Sequence, residues 1–102
     1  MQITVLAVPE CPNSALAVER VTAALGSRAA RVDLVEVDDQ EQAVELGMSG
    51  SPTILLDGVD PFATDATAPS LSCRLYREDD GAVSGAPSLA ALNRVIAGVP
   101  GC

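Results

Sequence analysis

The chain contains no histidine, no lysine and no tryptophan in its 102 residues. Without histidine, neither a Ser-His-Asp triad nor a Cys-His couple can be assembled within one chain, and the usual general base near neutral pH is missing. Without tryptophan there is no indole stacking platform. Six arginines are the whole basic complement against 14 Asp plus Glu, a formal charge of −8 that repels phosphate instead of releasing counterions from it. Nucleic acid and anionic membrane are therefore not expected as partners. The three cysteines, Cys11, Cys73 and Cys102, form no close pair, which with no histidine does not match zinc-ligand spacing. No metal or cofactor is expected. An uninterrupted apolar run of roughly 18 residues, the length that crosses a bilayer, is lacking too. So is a basic segment leading into an apolar core and a small-residue cleavage site. An odd cysteine count outside an export context fits thiols that stay reduced, and a cytoplasmic location is the expectation.

What is present suffices for one folded unit. At 48% hydrophobic and 20% charged, the composition is that of a globular chain. A length near ~100 residues makes one domain, expected over residues 1–98 with a short tail at 99–102. A unit this small buries only roughly 60 to 68% of its unfolded surface, so its stability margin is thin.

Gln2 to Val8 is apolar and β-branched nearly throughout, the pattern of a strand covered on both faces, and Pro9 ends it. From Pro12 to Leu25, Leu16, Val18, Val21 and Leu25 recur at near-helical spacing among alanines, and Gly26 follows as a C′ residue. Arg31 to Val37 reads as a second strand, parallel to the first through a right-handed β-α-β crossover. Asp38 or Asp39 caps a short helix ending at Leu46, with Glu41 or Gln42 in capping-box position and Gly47 as the stop. Thr53 to Leu56 is a third strand, bounded by Pro52 and the turn pair Asp57-Gly58. Val59 to Leu71 has no periodicity and forms an excursion or flap. Ser72 to Arg77 is the fourth strand, Glu78 to Gly81 a turn, and Pro87-Ser88 opens a last helix with Leu89, Leu92, Val95 and Ile96 on one stripe.

Two short motifs carry chemistry. Cys11, in Val8-Pro9-Glu10-Cys11-Pro12-Asn13-Ser14, lies between a buried strand and the start of a helix. There, unpaired N–H groups and the helix dipole favour a thiolate, Pro12 fits the N1 position, and Ser14 can donate to the sulfur. Glu10 opposes the thiolate by like charge. Cys11 is either such a reactive thiol or a small residue at a helix start. The second motif is Gly50-Ser51-Pro52-Thr53. A proline at the first residue of a strand loses no ladder bond, and in cis form it would turn the Ser51 backbone outward, free to pair with an extended partner.

A strand ending in Cys-Pro-x-x at a helix start, a βαβ unit and Gly-x-Pro-Thr before a hydrophobic strand together resemble the thioredoxin-like superfamily, glutaredoxins and thioredoxins included. The resemblance spans Ile3 to about Ala97. It implies an α/β fold with a four-stranded mixed sheet flanked by three helices. It also implies a site in which Cys11 is the nucleophilic thiol, Pro52 the cis-proline, and Ser51 and Thr53 flank the substrate groove. Three departures shape the activity it implies: Ser14 replaces the second cysteine, no aromatic residue precedes the motif, and the first strand offers no buried acid. What remains is a monothiol thiol-disulfide oxidoreductase. Cys11 attacks a small-thiol or protein disulfide and an external thiol resolves the product. The catalytic set is Cys11, Ser14 and Pro52, with Pro12, Ser51 and Thr53 against the substrate and Cys73 a candidate second thiol. The other reading is a non-catalytic thioredoxin-fold module that docks an extended partner at Ser51 and Pro52.

Leu71-Ser72-Cys73-Arg74-Leu75-Tyr76, with Asp57-Gly58 and Asp60-Pro61-Phe62 upstream, also resembles small thioredoxin-like proteins labelled alkylmercury lyase. That resemblance implies mercury handling by Cys11 and Cys73 with an acid such as Asp60. The thioredoxin-like arrangement, however, runs the fourth strand antiparallel to the third, leaving Cys73 roughly 13 Å from the Pro52 end at ~3.3 Å per residue. A disulfide needs Cα atoms within about 7 Å. Cys73 is thus expected to be a buried small hydrophobe, and Arg74 and Arg77 to lie on a solvated strand face. Cys102 is expected on the tail.

Overall fold

The computed structural model describes residues 1–63, 67–77, 81 and 83–98. The tail at 99–102 with Cys102, and the turn residues 78–80, lie outside them.

The architecture is mixed α/β. β1 (Gln2–Ala7), α1 (Ser14–Leu25), β2 (Arg31–Glu36), α2 (Gln40–Leu46), β3 (Ser49–Ser51) and β4 (Thr53–Leu56) lead to three shorter strands and a last helix. Those are β5 (Ser70–Cys73), β6 (Tyr76–Arg77), β7 (Val83–Ser84) and α3 (Leu89–Ala97). β1 pairs in parallel with β2, Val5 opposite Leu34, as a βαβ crossover requires, and antiparallel with β4, Val5 opposite Ile54.

Alternation along β1 and β4 sends successive side chains to opposite faces of this sheet. Ile3, Val5, Ile54 and Leu56 join Ala17, Val21 and Leu25 of α1 and Leu92 and Ile96 of α3 in one core cluster. Leu6 and Leu55 face the other way and pack with Val37, Met48 and Ala43 of α2. Helices on both faces explain why β1 is apolar at nearly every position: a strand covered twice has no solvent face.

The helix boundaries have local causes. The Asp39 carboxylate accepts from the Gln42 N–H at 2.8 Å, while the Gln42 side chain accepts from the Asp38 N–H at 3.1 Å, reciprocal bonds of the capping-box kind. Gly47 closes α2 in the left-handed region at φ 83°. The Ser88 hydroxyl accepts from the Ala91 N–H at 3.0 Å and starts α3. Arg20 of α1 donates to the carbonyls of Ala86 and Pro87, both at 3.1 Å, tying the start of α3 to α1.

Two features differ from the expected four-stranded sheet. The central sheet has three strands in the order β2-β1-β4, accompanied by the pairs β3-β5 and β6-β7. The expected fourth strand, Ser72 to Arg77, is broken between Cys73 and Tyr76, and its first part pairs not antiparallel with the strand after Pro52 but in parallel with β3 before it, Ser49 opposite Ser70 and Ser51 opposite Cys73. The direction follows from where the excursion ends. Ser70 returns beside Met48, its N–H donating to the Met48 carbonyl at 3.1 Å, so the chain retraces β3 in the same sense.

β5 can approach this closely because residue 50 is glycine. A Cβ built on Gly50 would lie 2.7 Å from Arg74 Cβ, and its φ of 114° is one that side chains disfavour. Gly50→Ala therefore combines steric overlap with a strained backbone, each costing on the order of 1–3 kcal/mol. It is expected to lower the urea midpoint by the equivalent of about 2–4 kcal/mol, whereas Gly58→Ala, with open space around it, should cost less. Equal losses for both variants would show that β5 does not pack as described.

Candidate functional site

Cys11 is placed by the end of β1. Val8 to Cys11 form a turn closed by the Cys11 N–H donating to the Val8 carbonyl at 3.2 Å. Pro9 occupies its second position, and Glu10 its third with φ 62°, the positive value such a turn demands there. Left-handed backbone costs a non-glycine residue roughly 1–2 kcal/mol, so the packing around the turn must hold Glu10 in place.

The thiol is partly exposed. It precedes the helix by more than expected: α1 begins at Ser14 with Asn13 as its N-cap, and Pro12 is an exposed turn residue, not N1. The Ser14 hydroxyl donates to the Cys11 carbonyl at 3.0 Å and the Ser14 N–H to the same oxygen at 3.3 Å. Ser14 thus fixes the backbone of Cys11; the expected bond to sulfur is replaced by one to the carbonyl.

The second motif meets the first through a side chain. Ser51 precedes a cis peptide bond to Pro52. Its hydroxyl accepts from the Val8 N–H at 3.1 Å, and its carbonyl accepts from the Arg74 N–H at 3.1 Å. The Ser51 backbone, expected to be open to a partner, is therefore occupied by the chain's own β5. Ser51, Pro52 and Thr53 are all buried. The Thr53 hydroxyl donates to the Gly50 carbonyl at 2.6 Å and accepts from the Ser49 N–H at 3.1 Å.

Cys73 is the largest departure from expectation. It is exposed, not buried, and lies directly across from Ser51 of β3. The gap expected from an antiparallel fourth strand vanishes because β5 runs parallel.

Sequence reasoning missed the group that holds this strand in place. Arg74 donates to Asp60 through Nη1 at 2.6 Å and Nη2 at 3.4 Å, and through Nη1 to the Ser49 hydroxyl at 3.0 Å. Both charged side chains are only 10% exposed, so Arg74 is not on a solvated face. A two-pronged guanidinium–carboxylate contact is the geometry in which a shielded pair retains its strength. It also occupies Asp60, the acid that organomercurial cleavage would need. Arg77, in contrast, is exposed as expected. The Arg74 guanidinium lies 4.8 Å above the ring of Tyr76, whose other neighbour is Phe62, edge-on at 5.4 Å. Phe62, Arg74, Leu75 and Tyr76 line a cavity of about 360 Å³ that begins one residue beyond Cys73. Among the described residues no group of three His, Cys, Asp or Glu is arranged to hold a metal, and no helix is long and apolar enough to cross a membrane.

No family model matches the chain, and no curated protein or solved structure matches it significantly. The functional reading therefore rests on the residues themselves.

The Tyr76 hydroxyl donates to the Pro52 carbonyl at 2.5 Å. Burial pushes its ionisation well above the ordinary value near 10, the nearby Arg74 charge opposing and the Asp60 charge adding to the rise. The folded state thus keeps a proton that the unfolded chain loses. This contribution to stability is complete below about pH 10 and declines as pH climbs toward the raised value, by up to about 1.4 kcal/mol per pH unit. Tyr76→Phe should cost about 1 kcal/mol at pH 8 through the lost hydrogen bond. Above pH 10 its stability should fall less steeply than the wild type's, narrowing the gap in denaturant titrations. A gap constant to pH 11 would contradict a buried, bonded phenol.

Proposed function

We propose that the protein is a thiol-disulfide oxidoreductase of thioredoxin-like type, acting in the cytoplasm through Cys11 on small-thiol or protein disulfides. The observation that carries this reading is the placement of Cys11. A partly exposed thiol stands on a turn whose first residue, Val8, is bonded to the Ser51 hydroxyl, immediately before Pro52. A nucleophile on a fixed turn meets the positional demand of an attack on a disulfide sulfur. Ser14 positions the backbone of Cys11, and the Ser51 hydroxyl, next to Pro52, positions that of Val8.

In the exchange, the Cys11 thiolate attacks one sulfur of R–S–S–R′. A Cys11–S–S–R bond forms as the S–S bond of the substrate breaks, and R′–S⁻ leaves. A second small thiolate then attacks the R sulfur, returning the Cys11 thiolate and a new small disulfide. The electrons come from the external thiol. The docking-module alternative is disfavoured by the occupied Ser51 carbonyl, and the organomercurial one by the engagement of Asp60 with Arg74.

The test uses bis(2-hydroxyethyl) disulfide as substrate and a small-molecule thiol as reductant. Wild type should accelerate thiol consumption over the protein-free rate, with Cys11→Ser at least tenfold slower than wild type. Retained activity in Cys11→Ser, or a wild-type rate no greater than that of an equal concentration of free cysteine, would overturn the reading.

A further inference from the structure

The cavity of about 360 Å³ beyond Cys73 has no part in the thiol chemistry, and its lining has a chemical character of its own. We propose that it is a binding site for a small organic monocarboxylate. The charged group is held by Arg74 and Arg77, and an apolar body about the size of one ring rests on Phe62, Leu75, Pro87 and Ala91. This inference stands independently of the reading of Cys11.

Arg74 is a fixed donor with capacity to spare. Its side chain is only 10% exposed, and Asp60 and the Tyr76 ring, 4.8 Å from the guanidinium carbon, hold it in place. Its hydrogen bonds to Asp60, Ser49 and Thr53 leave from Nη1 and Nη2 alone, and Nη2 gives a single one, to Asp60 Oδ1. A guanidinium carries five N–H donors. Nε and the second hydrogen of Nη2, which share one edge of the plane, are therefore left over. No buried side-chain nitrogen or oxygen among the described residues lacks a partner, so this unbonded Nε is one that solvent reaches. The opening that Arg74 lines is this cavity. Two parallel N–H groups on one edge match the two oxygens of a carboxylate.

The charges set the ligand's own charge. Asp60 balances Arg74, whereas Arg77, which also lines the cavity, is exposed and has no ion-pair partner among the described residues. None of the described lining residues is acidic. Two of the chain's six arginines thus meet at one cavity in a protein of net charge −8, and one positive charge is left for a monoanion. Most of the remaining lining is apolar. Leu75 is 70% exposed beside the cavity, so a ligand's hydrocarbon body would cover surface that now faces water. The volume lies at the small end of the ~300–1,000 Å³ typical of ligand pockets, which suits a one-ring acid.

The experiment titrates the full-length chain with phenylacetate, and separately with phenylacetamide, which has the same body without the charge, following backbone amide shifts by NMR. Phenylacetate should give saturable shifts centred on Leu75, Tyr76, Arg77 and Ala91, with phenylacetamide about tenfold weaker. Arg77→Gln should weaken phenylacetate about tenfold and leave phenylacetamide unchanged, while Leu75→Ser should weaken both. Both side chains are exposed, so these substitutions leave the core intact. No saturation by about 20 mM phenylacetate, shifts centred elsewhere, equal affinity for acid and amide, or undiminished phenylacetate binding in Arg77→Gln would each overturn the proposal.

Discussion

The hydroxyl and carbonyl of Ser51 hold two segments of chain from opposite sides, and the geometry of the candidate site depends on that pair of bonds. Val8 on one side sets where the Cys11 turn begins; Arg74 on the other sets where β5 ends. Ser51 is buried, so its polar atoms have no water to fall back on, and losing either partner would leave a group unsatisfied at a cost of about 1–3 kcal/mol. That penalty makes the junction specific as well as stabilising.

Around it lies a shell of small or fixed residues. Gly50 admits the Arg74 backbone, Thr53 ties the carbonyl of Gly50 to the amide of Ser49, and Tyr76 fastens the Pro52 carbonyl. The Arg74–Asp60 pair closes the shell at the Ser49 hydroxyl, to which both side chains are bonded. Removing one member of such a shielded pair costs more than the pair contributes, because the other charge stays buried alone. Polar side chains thus organise this end of the molecule, while the apolar clusters on the two sheet faces hold the rest.

That division explains what the sequence made legible. β1, α1, β2, α2, β4 and α3 are visible as apolar periodicities punctuated by Pro9, Gly26, Gly47, the Asp57-Gly58 pair and Ser88, because burial on one face or two imposes a repeat on the chain. The start of α1 was misplaced by two residues, since Pro12 suits either a helix N1 or a turn and only the Glu10 conformation decides between them. The broken fourth strand was not legible. Alternation across Cys73 to Arg77 is real, with Arg74 and Tyr76 inward and Cys73, Leu75 and Arg77 outward, yet alternation says nothing of parallel or antiparallel pairing. Direction was set by the long-range meeting of Ser70 with Met48 and of Arg74 with Asp60, and neither leaves a local signature. The one available hint was Gly50, a glycine beside a strand, which signals close approach of another backbone.

Amide hydrogen exchange of the reduced protein tests the Ser51 junction most directly. The Val8 and Arg74 amides should both exchange slowly, Arg74 far more slowly than its exposed neighbour Leu75, and Ser51→Ala should release Val8 while leaving Arg74 protected. An Arg74 amide exchanging as fast as Leu75 would mean that β5 does not rest on Ser51, and would contradict the junction.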